Sequence, residues 1–164
     1  MASTYHARYR IWLRGLPVLV LIASFVLASC GDEASADEPP DIEYGKTECT
    51  RCHMIISDER FAAGLVDADG KAQVFDDIGE LITVVQEEGL GSSRAWVHDY
   101  DTKEWIDATQ AHYVVSMDVV TPMGSGVSAF TTSEAANTFA MMRMGEIMTW
   151  DEMLTGWKMK DMHP

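Results

Sequence analysis

The chain predicts an α+β fold of two small related strand-strand-helix-strand units packed together, and two observations carry that prediction. Residues 61–100 read as a hairpin, a helix and a returning strand, without the strand-helix alternation of a parallel sheet, and the same order recurs downstream. Phe75-Asp76-Asp77 and Phe130-Thr131-Thr132 occupy equivalent places, each closing a strand on phenylalanine and offering capping side chains to an amphipathic helix.

Residues 1–29 come first and stand outside the fold. They carry Arg8, Arg10 and Arg14, no acid, and an apolar run from Leu16 to Ala28, the pattern of an export signal that is too short for a comfortable membrane span. The run closes on Leu27-Ala28-Ser29-Cys30-Gly31, which resembles a bacterial lipobox, so Cys30 is expected to be lipidated and to anchor the chain in a membrane. Gly31 after the cysteine, rather than aspartate, leans towards the outer membrane. Residues 30–41 are rich in Asp, Glu, Ala and Pro and end on Pro39-Pro40, a flexible tether with a stiffer end.

The first unit is expected over residues 42–100. Phe61 to Val66 is extended, Asp67-Ala68-Asp69-Gly70 turns the chain, and Ala72 to Phe75 returns as a second strand. Asp76 or Asp77 caps a helix whose apolar face holds Ile78, Leu81, Ile82 and Val85, Gly89 or Gly91 ends it, and Arg94 to Tyr100 resumes a strand. Over residues 101–164 the second unit brings Trp105-Ile106, His112 to Val115 and Val127 to Phe130 as strands, then a helix opened by Thr131 or Thr132. Met141, Met144 and Met148 follow helical spacing there and are expected to fill the core, as is Met117. Trp96, Trp105, Trp150 and Trp157 are core residues too. His98, His112 and the carboxylate pairs Asp76-Asp77 and Glu87-Glu88 read as hydrogen-bonded, capping or solvated groups.

Charge excludes some functions. The chain holds 12 bases and 26 acids; losing residues 1–29 removes three bases and no acid, leaving a net charge of −17 that disfavours nucleic acid. No nucleophile-base pair or phosphate loop is present, so the protein is not expected to be an enzyme.

Chemistry concentrates in Cys49-Thr50-Arg51-Cys52-His53-Met54, where two thiols, an imidazole and a thioether fall within six residues, and at Met123-Gly124-Ser125-Gly126. Four readings compete at the cysteine pair: copper, a redox dithiol, zinc and a plain disulfide. A redox dithiol wants its first cysteine at a helix N-terminus, whereas Met54-Ile55-Ile56 is an apolar, strand-prone run. Zinc lacks a second cysteine pair, and a bridge enclosing two residues is a poor staple. Soft thiolate and thioether donors suit Cu(I), and methionine holds its affinity where oxidation removes cysteine.

The lipobox, Cys52-His53-Met54, Trp105-Ile106-Asp107-Ala108, Tyr113-Val114, Met123-Gly124 and Phe130 together resemble the NosL-type nitrous oxide reductase accessory lipoproteins. The resemblance implies a periplasmic Cu(I) chaperone built from two ββαβ units. Cys52 and Met54 would be ligands, Met123 the third, with roles for Cys49 and His53 left open. Members of that family commonly carry glycine where His53 stands, so either the imidazole joins the metal or the turn differs. The implied acceptor is nitrous oxide reductase or its membrane assembly complex, reached by a monomer or a metal-linked dimer. The rival is a periplasmic thiol-disulfide oxidoreductase using Cys49 and Cys52; a third reading is a structural lipoprotein whose sulfurs merely pack.

Overall fold

A computed structural model describes residues 37–159. The signal segment and Cys30 lie outside the described residues. Within them, β1 (Ala63–Val66) and β2 (Ala72–Phe75) form the expected hairpin, followed by α1 (Ile78–Glu88) and β3 (Arg94–His98). A short β4 (Trp105–Asp107) and a 3-10 turn (Ala108–Gln110) lead into β5 (His112–Val115), β6 (Val127–Phe130), α2 (Ser133–Arg143), β7 (Glu146–Met148) and α3 (Trp150–Gly156). The expected order is therefore present twice, as β1-β2-α1-β3 and β5-β6-α2-β7.

Two antiparallel sheets result, β2-β1-β3-β4 and β6-β5-β7. Trp105-Ile106, grouped by its sequence with the second half, instead completes the first sheet: Val97 pairs with Ile106 and His98 with Trp105. A bridge from Asp99 to Ala129 and a 2.8 Å hydrogen bond from the Tyr100 amide to the Ala129 carbonyl stitch the sheets together.

One core runs through both halves. Phe75, Ile78, Leu81 and Ile82 of the first unit pack in one cluster with Tyr113, Val127, Trp150 and Met153 of the second. Gln86 fastens α3 to α1 by donating to the carbonyls of Met153 and Trp157 at 2.9 and 2.8 Å. All four tryptophans named above are buried or packed against buried clusters, except that Trp96 does so outside the main one. Packing begins before Ile42, because Pro40 is buried over Gly64, where a Cβ would come within 2.2 Å of its ring.

The methionines depart from expectation. Met141 and Met144 are exposed, as is Met117, and only Met148 packs against the core. Helical spacing misleads here because α2 is shallow: it buries only Ala136, Phe139 and Ala140, on a side between the methionines.

Candidate metal site at the start of the first helix

Residues 47–56 form a tight hairpin with the cysteine motif at its tip. Glu48 bridges to Ile55, the Cys49 amide donates to the Met54 carbonyl at 2.8 Å, and the His53 amide donates to the Cys49 carbonyl at 3.2 Å. The Cys52 amide points at the Cys49 sulfur, 3.4 Å away. His53 closes the turn at φ 62°, the left-handed backbone that glycine enters most easily. Thr50 anchors the tip to β2 through reciprocal bonds with Val74, 2.8 and 3.0 Å long.

This anchoring presses both thiols against α1. Cys49 Sγ lies 3.1 Å and Cys52 Sγ 3.6 Å from the same Glu80 carboxylate oxygen, Oε2. One donor atom from each of Cys49, Cys52 and Glu80 falls within 4.8 Å of the others, a group of metal-ligand dimensions. Cys49 and Glu80 are buried and Cys52 is half-buried, so the pocket opens through Cys52. Burial, the hydrogen bond with Cys49 and the charge of Glu80 push the Cys52 thiol up to about 12. Burial also raises the Glu80 carboxyl, helped by Asp77 and Asp76 and opposed by the two thiol hydrogen bonds. Without a cation the Cys52 thiol therefore keeps its proton.

Glu80 was not visible as a site residue in the sequence. Asp77-Ile78-Gly79-Glu80 has the spacing of a capping box, in which the glutamate would reach back to the cap. Thr149 and Glu152 close such a box on α3. At α1 the box does not form: Asp77 caps the helix by accepting from the Gly79 amide at 2.8 Å, while the Glu80 side chain turns to the thiols.

The downstream loop reaches the same helical turn. Asp77, fully buried, accepts from the Met123 amide at 2.9 Å, from Thr121 Oγ1 at 2.6 Å and from Ser125 Oγ at 2.5 Å. Gly126 takes φ 70°, and a Cβ there would meet the Ser116 carbonyl oxygen at 2.3 Å. Met123 is thus tethered by its backbone three residues along the chain from the group that holds Cys49 and Cys52, and its side chain is half-buried. Met54 stands exposed at the hairpin rim. The His53 imidazole is turned to Glu48, 2.8 Å away on the exposed side of the hairpin.

His98 is a structural histidine. It is buried, paired through Nε2 with the Tyr44 hydroxyl and through Nδ1 with the Lys103 carbonyl, both at 2.7 Å, and stacked on Trp105. Burial pushes its pKa down and keeps the ring neutral.

Comparison with known proteins settles the kinship. The family model for NosL matches residues 42–157, from the first packed residues to the end of α3. The chain belongs to the NosL family. The copper-binding lipoprotein NosL of Stutzerimonas stutzeri is 26% identical over 147 residues, which span 82% of this chain and 77% of that protein. The crystal structure of the copper chaperone NosL from Shewanella denitrificans superposes with a TM-score of 0.62 at 22% identity, covering 70% of this chain and 94% of the other. The two-sheet α+β fold is therefore a NosL fold.

Proposed function

We propose that this chain is an exported, lipid-anchored carrier that holds Cu(I) at the start of α1 and passes it to an acceptor by ligand exchange. The observation that carries the reading is the convergence of Cys49, Cys52 and Glu80 on one point, with the Met123 loop fastened to the same helical turn. Two copper-related relatives support it from a separate direction.

Cys49 and Cys52 are the anionic donors once Cu(I) displaces their protons, and Glu80, already hydrogen-bonded to both thiols, is the buried acceptor beside them. Met54 on the rim and Met123 across the turn supply neutral thioethers that complete a soft donor set. Such a site suits a cargo rather than a resident ion. Half-open at Cys52 and flanked by neutral donors, it lets an acceptor's ligand enter before a donor leaves, so no free copper is released. His53, held by Glu48, stands outside the first set of donors.

A dithiol oxidoreductase is disfavoured by the same geometry. Its attacking cysteine needs a lowered pKa at a helix N-terminus, whereas here both thiols sit on a hairpin beside a carboxylate and Cys52 is driven up. The remaining parts of the reading are residues 1–29 as export signal, Cys30 as lipid anchor on the periplasmic face of the outer membrane, residues 30–41 as tether, and nitrous oxide reductase or its assembly complex as acceptor.

Anaerobic Cu(I) titration of the full chain in detergent, against a competing chelator, tests it. Cys49→Ser and Cys52→Ser are expected to weaken binding at least 100-fold, Met54→Leu and Met123→Leu about 10-fold each, and His53→Ala hardly at all. Binding untouched by the cysteine variants overturns the site. Transfer of the bound ion to copper-free nitrous oxide reductase, followed by the reductase's visible spectrum, tests the destination; retention on the carrier contradicts it.

A further inference from the structure

Methionine makes up five of the eight large apolar side chains exposed among the described residues, Met54, Met117, Met141, Met142 and Met144. Two of these are brought together by a specific pin. The Ser116 amide donates to the Gly126 carbonyl at 2.9 Å, and its hydroxyl donates to the Arg143 carbonyl at 2.5 Å, so the loop after β5 and the end of α2 meet at one side chain. Gly126 and Gly145 allow the approach, since a Cβ on either would lie 2.3 Å from the Ser116 carbonyl or 2.5 Å from Val114 Cγ1. Met117 follows Ser116 and Met144 follows Arg143. Both are left in solvent, 73% and 83% exposed, on the walls of one cleft of about 410 Å³ that Gly124 and Trp157 also line.

Packing does not account for these residues. Met144 ends α2 at φ 49°, ψ 40°, the left-handed position where helices commonly place glycine, although a glycine stands one residue later. A side chain in that conformation costs about 1 kcal/mol, and this one buries almost nothing in return.

We propose that Met117 and Met144 form a second Cu(I) site, distinct from the cysteine pocket. Thioethers are neutral, soft and indifferent to protons, so they select Cu(I) over hard cations. The wall charges reinforce that choice. Asp118 and Glu146 are matched in number by Arg143 and Lys158, so the walls offer no surplus of carboxylates to a hard divalent ion. Trp157, packed in the main core, closes the inner side of the same space. Gly124, next to Met123, lines this cleft, so the loop that reaches the first site also borders the second. The identity of the ion rests on the function proposed above, whereas the ligand pair does not. With two neutral donors the second site binds more weakly than the thiols.

The test is an anaerobic Cu(I) titration of the full chain carrying carbon-13 methionine methyls, followed by NMR past one equivalent. The second equivalent is expected to shift the Met117 and Met144 methyl signals, and Met117→Leu/Met144→Leu to weaken that equivalent at least 10-fold while sparing the first. Cys49→Ser/Cys52→Ser should remove the tight equivalent and leave the methyl shifts in place. If those shifts persist while the cysteine variant changes nothing else, the function proposed above fails and this site stands. A wild-type chain that takes up only one equivalent, or a second one that moves other methionines, overturns the proposal. The same holds if the methyls respond only to an added protein partner, since the cleft is then a docking surface.

Discussion

The two ββαβ halves begin their helices in the same way and use those beginnings differently. At α1 the cap is a fully buried carboxylate, Asp77, shared between its own helix and three groups of the β5–β6 loop. At α2 the cap is the exposed hydroxyl of Thr132, which accepts only from the Ala135 amide. Behind the caps, α1 buries Ile78 to Ile82 together with Val84 and Val85, while α2 buries three small or aromatic positions. A repeated architecture thus yields one inner helix, whose first turn is enclosed by parts of both halves, and one outer helix that faces solvent. The thiol-carboxylate cluster sits at the enclosed start, where groups from distant parts of the chain can be held together out of water.

Swapping the caps for alanine should expose the asymmetry most strongly. Asp77→Ala removes a helix cap and the shared buried acceptor of the Met123 amide, Thr121 and Ser125, whose two hydroxyls keep only each other to donate to, at 3.2 Å, an expected loss of about 4 kcal/mol. Thr132→Ala is expected to cost about 1 kcal/mol. Urea denaturation with unchanged slopes measures both, and equal costs would break the comparison.

A smaller contrast involves two glycines with positive φ. Gly126→Ala suffers both the strained backbone and the clash with Ser116, about 3 kcal/mol, whereas Gly89→Ala, with open space around it, pays only for its backbone at φ 80°, ψ 157°, a region nearly reserved for glycine, about 2 kcal/mol. The same denaturation experiment separates them.

Glu80 gives the comparison a pH dependence. Its carboxyl is raised by burial, so the metal-free fold prefers it protonated. That preference supports stability fully below the ordinary glutamate range, about pH 4, and is lost as pH rises through the raised folded value. Glu80→Gln, which keeps an acceptor for the thiols without the charge, should therefore gain on the wild type as pH increases and converge with it in acid. Denaturation at pH 4 and pH 7.5 checks the sign; a wild type that gains on the variant at higher pH contradicts it. The smallest effects belong to the outer helix, where Met141→Ala and Met142→Ala are expected to stay within about 0.5 kcal/mol.

Much of this was legible from residue order. The hairpin of β1 and β2 and the strand β6 stand where local rules of spacing and turn chemistry put them, and of the pairs those rules offered, Asp76 or Asp77, Gly89 or Gly91, Thr131 or Thr132, the structure takes Asp77, Gly89 and Thr132. The family resemblance was carried by motifs far apart in sequence and proved sound. What stayed hidden depends on tertiary packing. β4 has no local feature that says which sheet it will join. The methionines of α2 have core-like spacing, yet which side of a helix is covered is decided by the sheet beneath it. Glu80 was masked by a capping-box spacing, and only the cysteine hairpin docking on α1 diverts its side chain. The third helix, α3, was overlooked although Thr149 and Glu152 announce it.

The central claim is that one Cu(I) is held by sulfur at the enclosed start of α1, and X-ray absorption at the copper edge of the full chain, loaded anaerobically with one equivalent, tests it most directly. The account predicts a first shell dominated by sulfur that loses a scatterer in Cys52→Ser and is unchanged in Thr132→Ala. A first shell of nitrogen and oxygen alone, or a sulfur shell indifferent to Cys52→Ser, would contradict it.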